Sequence, residues 1–443
     1  MKKIFNFEII IYALLLSIIA NSYIIVWGNP LVLGITLAIF VIINATSGIF
    51  TCGAKHLRLR TCAHGYSLLA SFALSVIASV IFHIVLAFVT IPNEYMTLIW
   101  SALFCIAAEA IVFWNGITCV YLTSYQLGIK LRVIGAILGI IPIVNLFVLR
   151  KIMLTVLEEI KFELKKERLE FERLPLAPCK TKYPILLVHG FFFRDFKYFN
   201  YWGRIPKTLT RAGATIYYGN HQSARPVADS AEELAARIKR IVEETGCEKL
   251  NVIAHSKGGL DMRYAISKLG MDKYVASLTT VNTPHRGCIY ADKLLETIPK
   301  TIQSGIARTY NKAMLKLGDE NPDFLAAARD LTAGACEKLN AEIPTIPSEI
   351  YCRSIGSVMN GPADGSFPLS LSYHIVSHYD GEKNDGLVSE SSFKFGENYT
   401  LISPDGRGIS HCDVIDLSRK NVKEFDVREF YVELVSDLKS RGL

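Results

Sequence analysis

The sequence has no Cys-x-x-Cys pair and no other paired cysteine spacing. Its ten cysteines are scattered from Cys52 to Cys412, which excludes both a disulfide framework and a cysteine-held zinc site as organising devices. A basic excess is also missing from most of the chain. Of the 48 Lys and Arg and the 41 Asp and Glu, 16 and 9 fall within residues 1–182, leaving 32 of each beyond. The net charge of +7 therefore belongs to the first part of the chain. It speaks for topology and lipid headgroups and against nucleic acid. Nor does the N-terminus read as a signal peptide, which would show one short apolar core and a cleavage site.

Apolar residues are abundant instead. They make up 51% of the 443 residues, mean hydropathy is +0.29, and the excess lies in the first 150. Four stretches there, Ile9–Val26, Leu31–Phe50, Leu68–Val89 and Leu98–Leu122, have the length and composition of bilayer spans, which take about 20 residues. Glu109 and His83 lie inside spans, where one ionisable residue reads as a bundle-interior contact. A fifth stretch, Val133–Leu149, contains Gly135, Gly139, Pro142 and Asn145. It either crosses or forms a broken, re-entrant hairpin. Lys130 and Arg132 precede it and Arg150 and Lys151 follow it, and positive charge on both flanks favours the hairpin. The same rule puts Lys2, Lys3, Lys55, Arg58, Arg60 and Lys130 in the cytoplasm, and a re-entrant fifth segment keeps the rest of the chain on that face. Residues 150–174 carry a charged helical pattern with Ile152, Val156, Leu157 and Ile160, expected at the membrane surface or as a spacer. Pro175 and Pro178 end it. The expected organisation is an all-α transmembrane region over 1–150, a linker helix over 151–180 and an α/β domain over 181–443.

Leu250 to Leu260 organises that last domain. Leu250, Val252 and Ile253 lead into Ala254-His255-Ser256-Lys257-Gly258, and a helical pattern opens directly after. Strand, tight turn with serine, helix is the nucleophile elbow of an α/β-hydrolase. The turn strains the serine backbone, so its close neighbours must be small. Ala254 and Gly258 satisfy this, although the usual first glycine is here alanine. Upstream, Tyr183–Val188 ends in His189-Gly190-Phe191, as suits an oxyanion loop. The chemistry needs two N–H groups aimed at a developing oxyanion, and the backbones of Phe191 and Lys257 are the candidates, with His189 shaping the loop. Helical patterns at Pro206–Ala212 and Ser230–Glu244 alternate with strand patterns at Ala214–Tyr218 and Val275–Val281, which implies a mostly parallel sheet with helices on both faces.

The rhythm breaks after Gly287. Residues 289–346 read as helical, the position of a cap or lid, with Leu294, Leu295, Ile298, Ile302 and Ile306 as an apolar face. Strands resume at Ile350–Val358 and Tyr399–Ile402. In this fold the catalytic residues follow the order Ser, Asp or Glu, His. His411, the last histidine, is the candidate base. Asp385, Asp380 and Asp364 compete as its orienting acid, and the latter two would also admit His374 or His378 as base.

From Tyr183 onward the chain resembles bacterial triacylglycerol lipases of the Pseudomonas and Burkholderia type. The resemblance rests on 183–191, 251–259, Asn-Thr-Pro-His-Arg-Gly at 282–287, Asn-Asp-Gly-Leu-Val at 384–388 and His-Cys-Asp at 411–413, together with 331–340. It implies an α/β-hydrolase fold with a helical cap, Ser256 as nucleophile, Asp385 as acid, His411 as base and oxyanion amides from Phe191 and Lys257. It also implies a structural calcium held by two aspartates, one of them two residues after the base, where Asp413 stands; Asp364 is the second candidate ligand. No cofactor is implied for the chemistry itself. The expectation is a lipase or esterase acting on lipid esters, integral to a bacterial cell membrane with its hydrolase domain on the cytoplasmic face. An acyltransferase or thioesterase with the same residues, and a scaffold that has only the fold, are the alternatives. The resemblance does not extend to residues 1–180.

Overall fold

Residues 3–90, 94–191 and 200–443 are described by the structure, a computed structural model; Lys2 of the cytoplasmic charge set lies outside them. The chain divides into two compact units, Met1–Glu172 and Arg173–Leu443.

The first unit is all helix: α1 (Lys3–Ala20), α2 (Tyr23–Val26), α3 (Pro30–Thr46), α4 (Leu57–Thr90), α5 (Tyr95–Thr123), α6 (Gly128–Leu138) and α7 (Val144–Arg173), the last running to the unit boundary. Two of these, α4 and α5, are long and apolar enough to cross a membrane, while the apolar helices at Phe5–Ala20 and Pro30–Thr46 are shorter. The expected first span, Ile9–Val26, is interrupted. Asn21 Nδ2 donates to the Ser17 carbonyl and to Ser79 Oγ, and Ser22 Oγ donates to the Ile19 carbonyl. These side chains take over helix-end acceptors and stop α1. The second span is confined between the Asn29 cap, which accepts from Val32 N–H, and Ser47. The stretch Val133–Leu149 breaks between Leu138 and Val144, with Ile143 at φ 69°. Pro142 has no N–H to extend a helix. The charged helix is not a free spacer: it begins at Val144, and Ile152, Val156 and Ile160 sit in the core of the unit. Its Glu159 is buried, accepting from Arg58 Nη1 at 2.7 Å and from the Tyr125 and Gln126 N–H groups. Glu109 and His83 face the interior as expected, Glu109 accepting from Ser75 Oγ and His83 contacting Ser101 Oγ at 3.3 Å. The outside of the unit carries exposed apolar side chains such as Leu14, Ile77, Phe88 and Trp114.

The second unit is built on β1 (Ile185–Val188), β2 (Ile216–Tyr218), β3 (Leu250–His255), β4 (Val275–Val281), β5 (Tyr351–Ser357) and β6 (Asn398–Ile402). They form one parallel sheet in the order β2-β1-β3-β4-β5-β6. β1, β3 and β4 are buried along their whole length, as strands covered on both faces must be. The covering helices are α8 (Ile205–Arg211), α9 (Val227–Thr245), α10 (Lys257–Lys268) and, at the C-terminus, α16 (Val427–Ser440), numbered after the five helices introduced next. On α9, Ala231, Leu234, Ala235, Ile238 and Ile241 are buried, the i, i+3, i+4, i+7 stripe of an amphipathic helix. With Val252, Met262 and Ile266 they make one core layer. Trp202, Leu209, Ile253, Tyr431 and Val435 belong to the other. Each fully buried Leu, Ile or Val contributes about 1.5–3 kcal/mol. Between β4 and β5 lie only helices: α11 (Ile289–Thr297), α12 (Lys300–Lys316), α13 (Phe324–Arg329) and α14 (Ala333–Glu342). The fifth, α15 (Leu369–Asp380), lies between β5 and β6.

Candidate active site

Ser256 sits between β3 and α10 at φ 54°, ψ −133°, a conformation that L-residues adopt only when their surroundings impose it. Its N–H is tied to the Val281 carbonyl at 2.9 Å. The small neighbours are there because the chain passes so close. A Cβ at Gly190 would lie 2.6 Å from Ser256 Cβ, and one at Gly258 would lie 2.4 Å from the His189 carbonyl oxygen. Lys257 is the first residue of α10, where a backbone N–H has no partner within the helix.

Asp385 is fully buried. Its Oδ1 accepts from the Leu387 and Val388 N–H groups, both at 2.8 Å. Its Oδ2 lies 2.6 Å from His411 Nδ1 and accepts from Asn282 Nδ2 at 2.6 Å. The His411 N–H also donates to the Asp385 carbonyl, at 2.8 Å. Nδ1 faces a carboxylate, so it carries the proton, and Nε2 is left as an acceptor. Ser256, His411 and Phe191 line one cavity of about 260 Å³. The cap-position helices α11, α12 and α13 supply its walls, including Leu294, Leu295, Ile306 and Leu325. Of the expected apolar face, Ile298 also lines it, whereas Ile302 is exposed. Gln303 closes one end by donating to the Leu295 and Ile298 carbonyls. No Asp, Glu, Lys or Arg among the described residues lines this cavity.

The structure thus brings Ser256, His411 and Phe191 to one cavity and joins Asp385 to His411. His374, His378 and Asp380 lie on α15 and Asp364 in a neighbouring turn, outside that pair.

An α/β-hydrolase-fold family profile matches residues 183–328. A triacylglycerol lipase of Vibrio cholerae is 29% identical over 286 residues, 60% of this chain and 90% of the lipase. A triacylglycerol lipase of Burkholderia plantarii is 35% identical over 179 residues, 37% of this chain and 49% of the lipase. The structure of a Staphylococcus hyicus lipase aligns with 59% of this chain and 97% of its own, at 21% identity and TM-score 0.44. The second unit has the α/β-hydrolase fold. With these relatives and this fold it is a carboxylic ester hydrolase.

Three sets of side-chain contacts around the site are set by the fold and not by local sequence alone. Asn282, at φ 48°, donates to the same Asp385 oxygen that meets His411 and to Ser357 Oγ at 2.7 Å. Tyr201 joins the elbow to the 189–191 loop: its hydroxyl lies 2.7 Å from His255 Nδ1 and accepts from the Gly190 N–H at 3.2 Å. Beneath the elbow, the buried Lys257 ammonium donates to Asp261 Oδ1 at 2.7 Å and Ser230 Oγ at 3.0 Å. Burial pushes the Asp261 carboxyl up to about 7, against the pull of that ammonium. His189 shapes the loop, as expected: its ring nitrogens contact the Gly190 and His221 carbonyls at 3.0 Å.

Asp413 and Asp364, the candidate calcium ligands, are each tied into hydrogen bonds of the protein. Among the described residues no three His, Cys, Asp or Glu side chains gather at one point, and calcium takes six to eight oxygens. The Oδ2 oxygen of each accepts from N–H or O–H donors.

Two thiols flank the site. Burial pushes Cys412 up to about 12 and Cys288 well above the usual thiol range. Both are therefore protonated, and poor nucleophiles, at neutral pH. Iodoacetamide applied to the folded hydrolase should leave ester turnover unchanged. Rapid, stoichiometric inactivation with the label on Cys288 would contradict this.

Proposed function

We propose that the chain is a membrane-anchored serine hydrolase that cleaves carboxylic esters of lipids through Ser256, His411 and Asp385. The observation that carries the reading is a strained serine and an aspartate-held histidine on the wall of one cavity whose described lining is apolar. In this mechanism His411 Nε2 takes the Ser256 proton as Oγ attacks the ester carbonyl. Asp385 holds the tautomer and stabilises the imidazolium. The N–H groups of Phe191 and Lys257 bind the oxyanion. His411 then protonates the leaving alcohol, and water releases the acid from the acyl-enzyme. A wall apolar among the described residues suits an acyl chain, with α11 and α12 as its cap. The relatives are named triacylglycerol lipases, which supports lipid esters as the substrate class.

Anchoring is supported by α4 and α5 and by the exposed apolar side chains of the first unit. Positive charge on both flanks of the broken segment favours the cytoplasmic face for the hydrolase. All ten cysteines are free, which fits a reducing compartment. Two treatments of one preparation test this. Esterase activity should stay with membranes through an alkaline carbonate wash, and protease should cut the hydrolase unit only after cells are lysed. Activity released by the wash would end the anchoring proposal, and digestion in intact cells would place the site outside.

A further inference from the structure

The two aspartates expected to share a calcium are brought together around an arginine. Arg407 Nη2 donates to Asp413 Oδ2 and to the Asp364 carbonyl oxygen, each at 2.6 Å. Asp413 Oδ2 also accepts from Ser410 Oγ at 2.7 Å and from Ser410 N–H at 3.3 Å. The Asp364 carboxylate is directed elsewhere. Its Oδ2 accepts from the N–H groups of Asn360, Gly361 and Gly408 at 2.8, 3.2 and 2.9 Å.

We propose that the Arg407 guanidinium is a built-in cation that does the bracing expected of calcium, and that Arg407 is a positioning residue for His411. A cation at this place would have one task, to draw oxygen acceptors of the 360–364 turn and of the 410–413 turn onto a common point. The guanidinium does this with one charge and a planar set of N–H donors. One guanidinium meets one carboxylate, that of Asp413, which is 7% exposed, and three backbone amides donate to one oxygen, Oδ2, of the Asp364 carboxylate. A divalent ion added to this set would leave excess positive charge beside a desolvated pair. The brace reaches the base directly. Ser410 and Asp413 bracket His411, and Gly408 N–H pins the same segment to the Asp364 turn. The His411 backbone is thereby held where its N–H meets the Asp385 carbonyl and its ring meets the Asp385 carboxylate.

The inference rests on the reading of His411 as base, so its test includes melting, which is independent of that reading. The full-length protein in detergent micelles should melt at the same temperature with EDTA and with millimolar Ca²⁺. Arg407→Ala should melt lower by about 3 °C or more. In it kcat should fall about tenfold or more with KM little changed, the signature of a misplaced catalytic group. Arg407→Lys, which keeps the charge without the fork, should fall between the two and covers the case in which the alanine variant does not fold. Chelator-dependent melting of the wild type would overturn the proposal, as would an Arg407→Ala protein with wild-type melting and kcat. If Ser256 proved not to be the nucleophile, the melting results would still decide whether Arg407 is the brace.

Discussion

Ester turnover should vanish in Ser256→Ala while melting temperature stays near that of the wild type. The serine hydroxyl is lost at the one point of the cavity where the backbone is held at φ 54°. Alanine keeps the Cβ that packs against Gly190, so the elbow gains no cavity and no new strain. Where such a serine has been removed from a serine protease, kcat fell by about 10⁶, the remainder coming from binding and the oxyanion donors. A p-nitrophenyl ester assay on the purified protein reads the loss. Residual turnover within about tenfold of wild type would remove Ser256 from the mechanism.

The second large effect belongs to Asp385→Asn, expected to cost about 10⁴ in kcat, as in the best-studied serine protease triad. The buried carboxylate accepts four hydrogen bonds, from two backbone N–H groups, Asn282 and His411. An amide in its place offers only one oxygen. Its NH₂ then faces either those donors or His411 Nδ1, and in the latter case the imidazole turns to the tautomer that cannot take the serine proton. Asp380→Asn should leave turnover close to wild type, because Asp380 lies on α15, apart from His411. A larger loss in Asp380→Asn than in Asp385→Asn would reverse the assignment.

The elbow was legible because its constraint is local. Gly258 and Ala254 are small for a reason that two residues of spacing expose, and the apolar strand before them is a period that any window detects. The alternating strands and helices of the second unit were legible for the same reason. The choice among Asp385, Asp380 and Asp364 was not, from the residues alone, because it is a matter of which loop folds onto His411. Asn282 shows the same limit: it stands in a quoted motif, yet its partner Asp385 is 103 residues away. Hydropathy failed differently at Ile9–Val26. It counts Asn21 and Ser22 as mild polar residues, whereas they end α1 by bonding to its carbonyls. It also separated the charged helix from the apolar stretch before it, although both belong partly to α7. Arg407 reads as one more loop charge until the fold places two acceptors at its Nη2.

The central claim is that Ser256 is an activated nucleophile served by His411. A fluorophosphonate probe tests it without assuming a substrate, since it reacts covalently with a serine whose proton can be taken by an adjacent base. Intact-mass and peptide analysis of the labelled full-length protein should find one adduct, on Ser256, and His411→Ala should lose that labelling while still folding. No adduct, or an adduct on another residue that removes activity, would contradict the account.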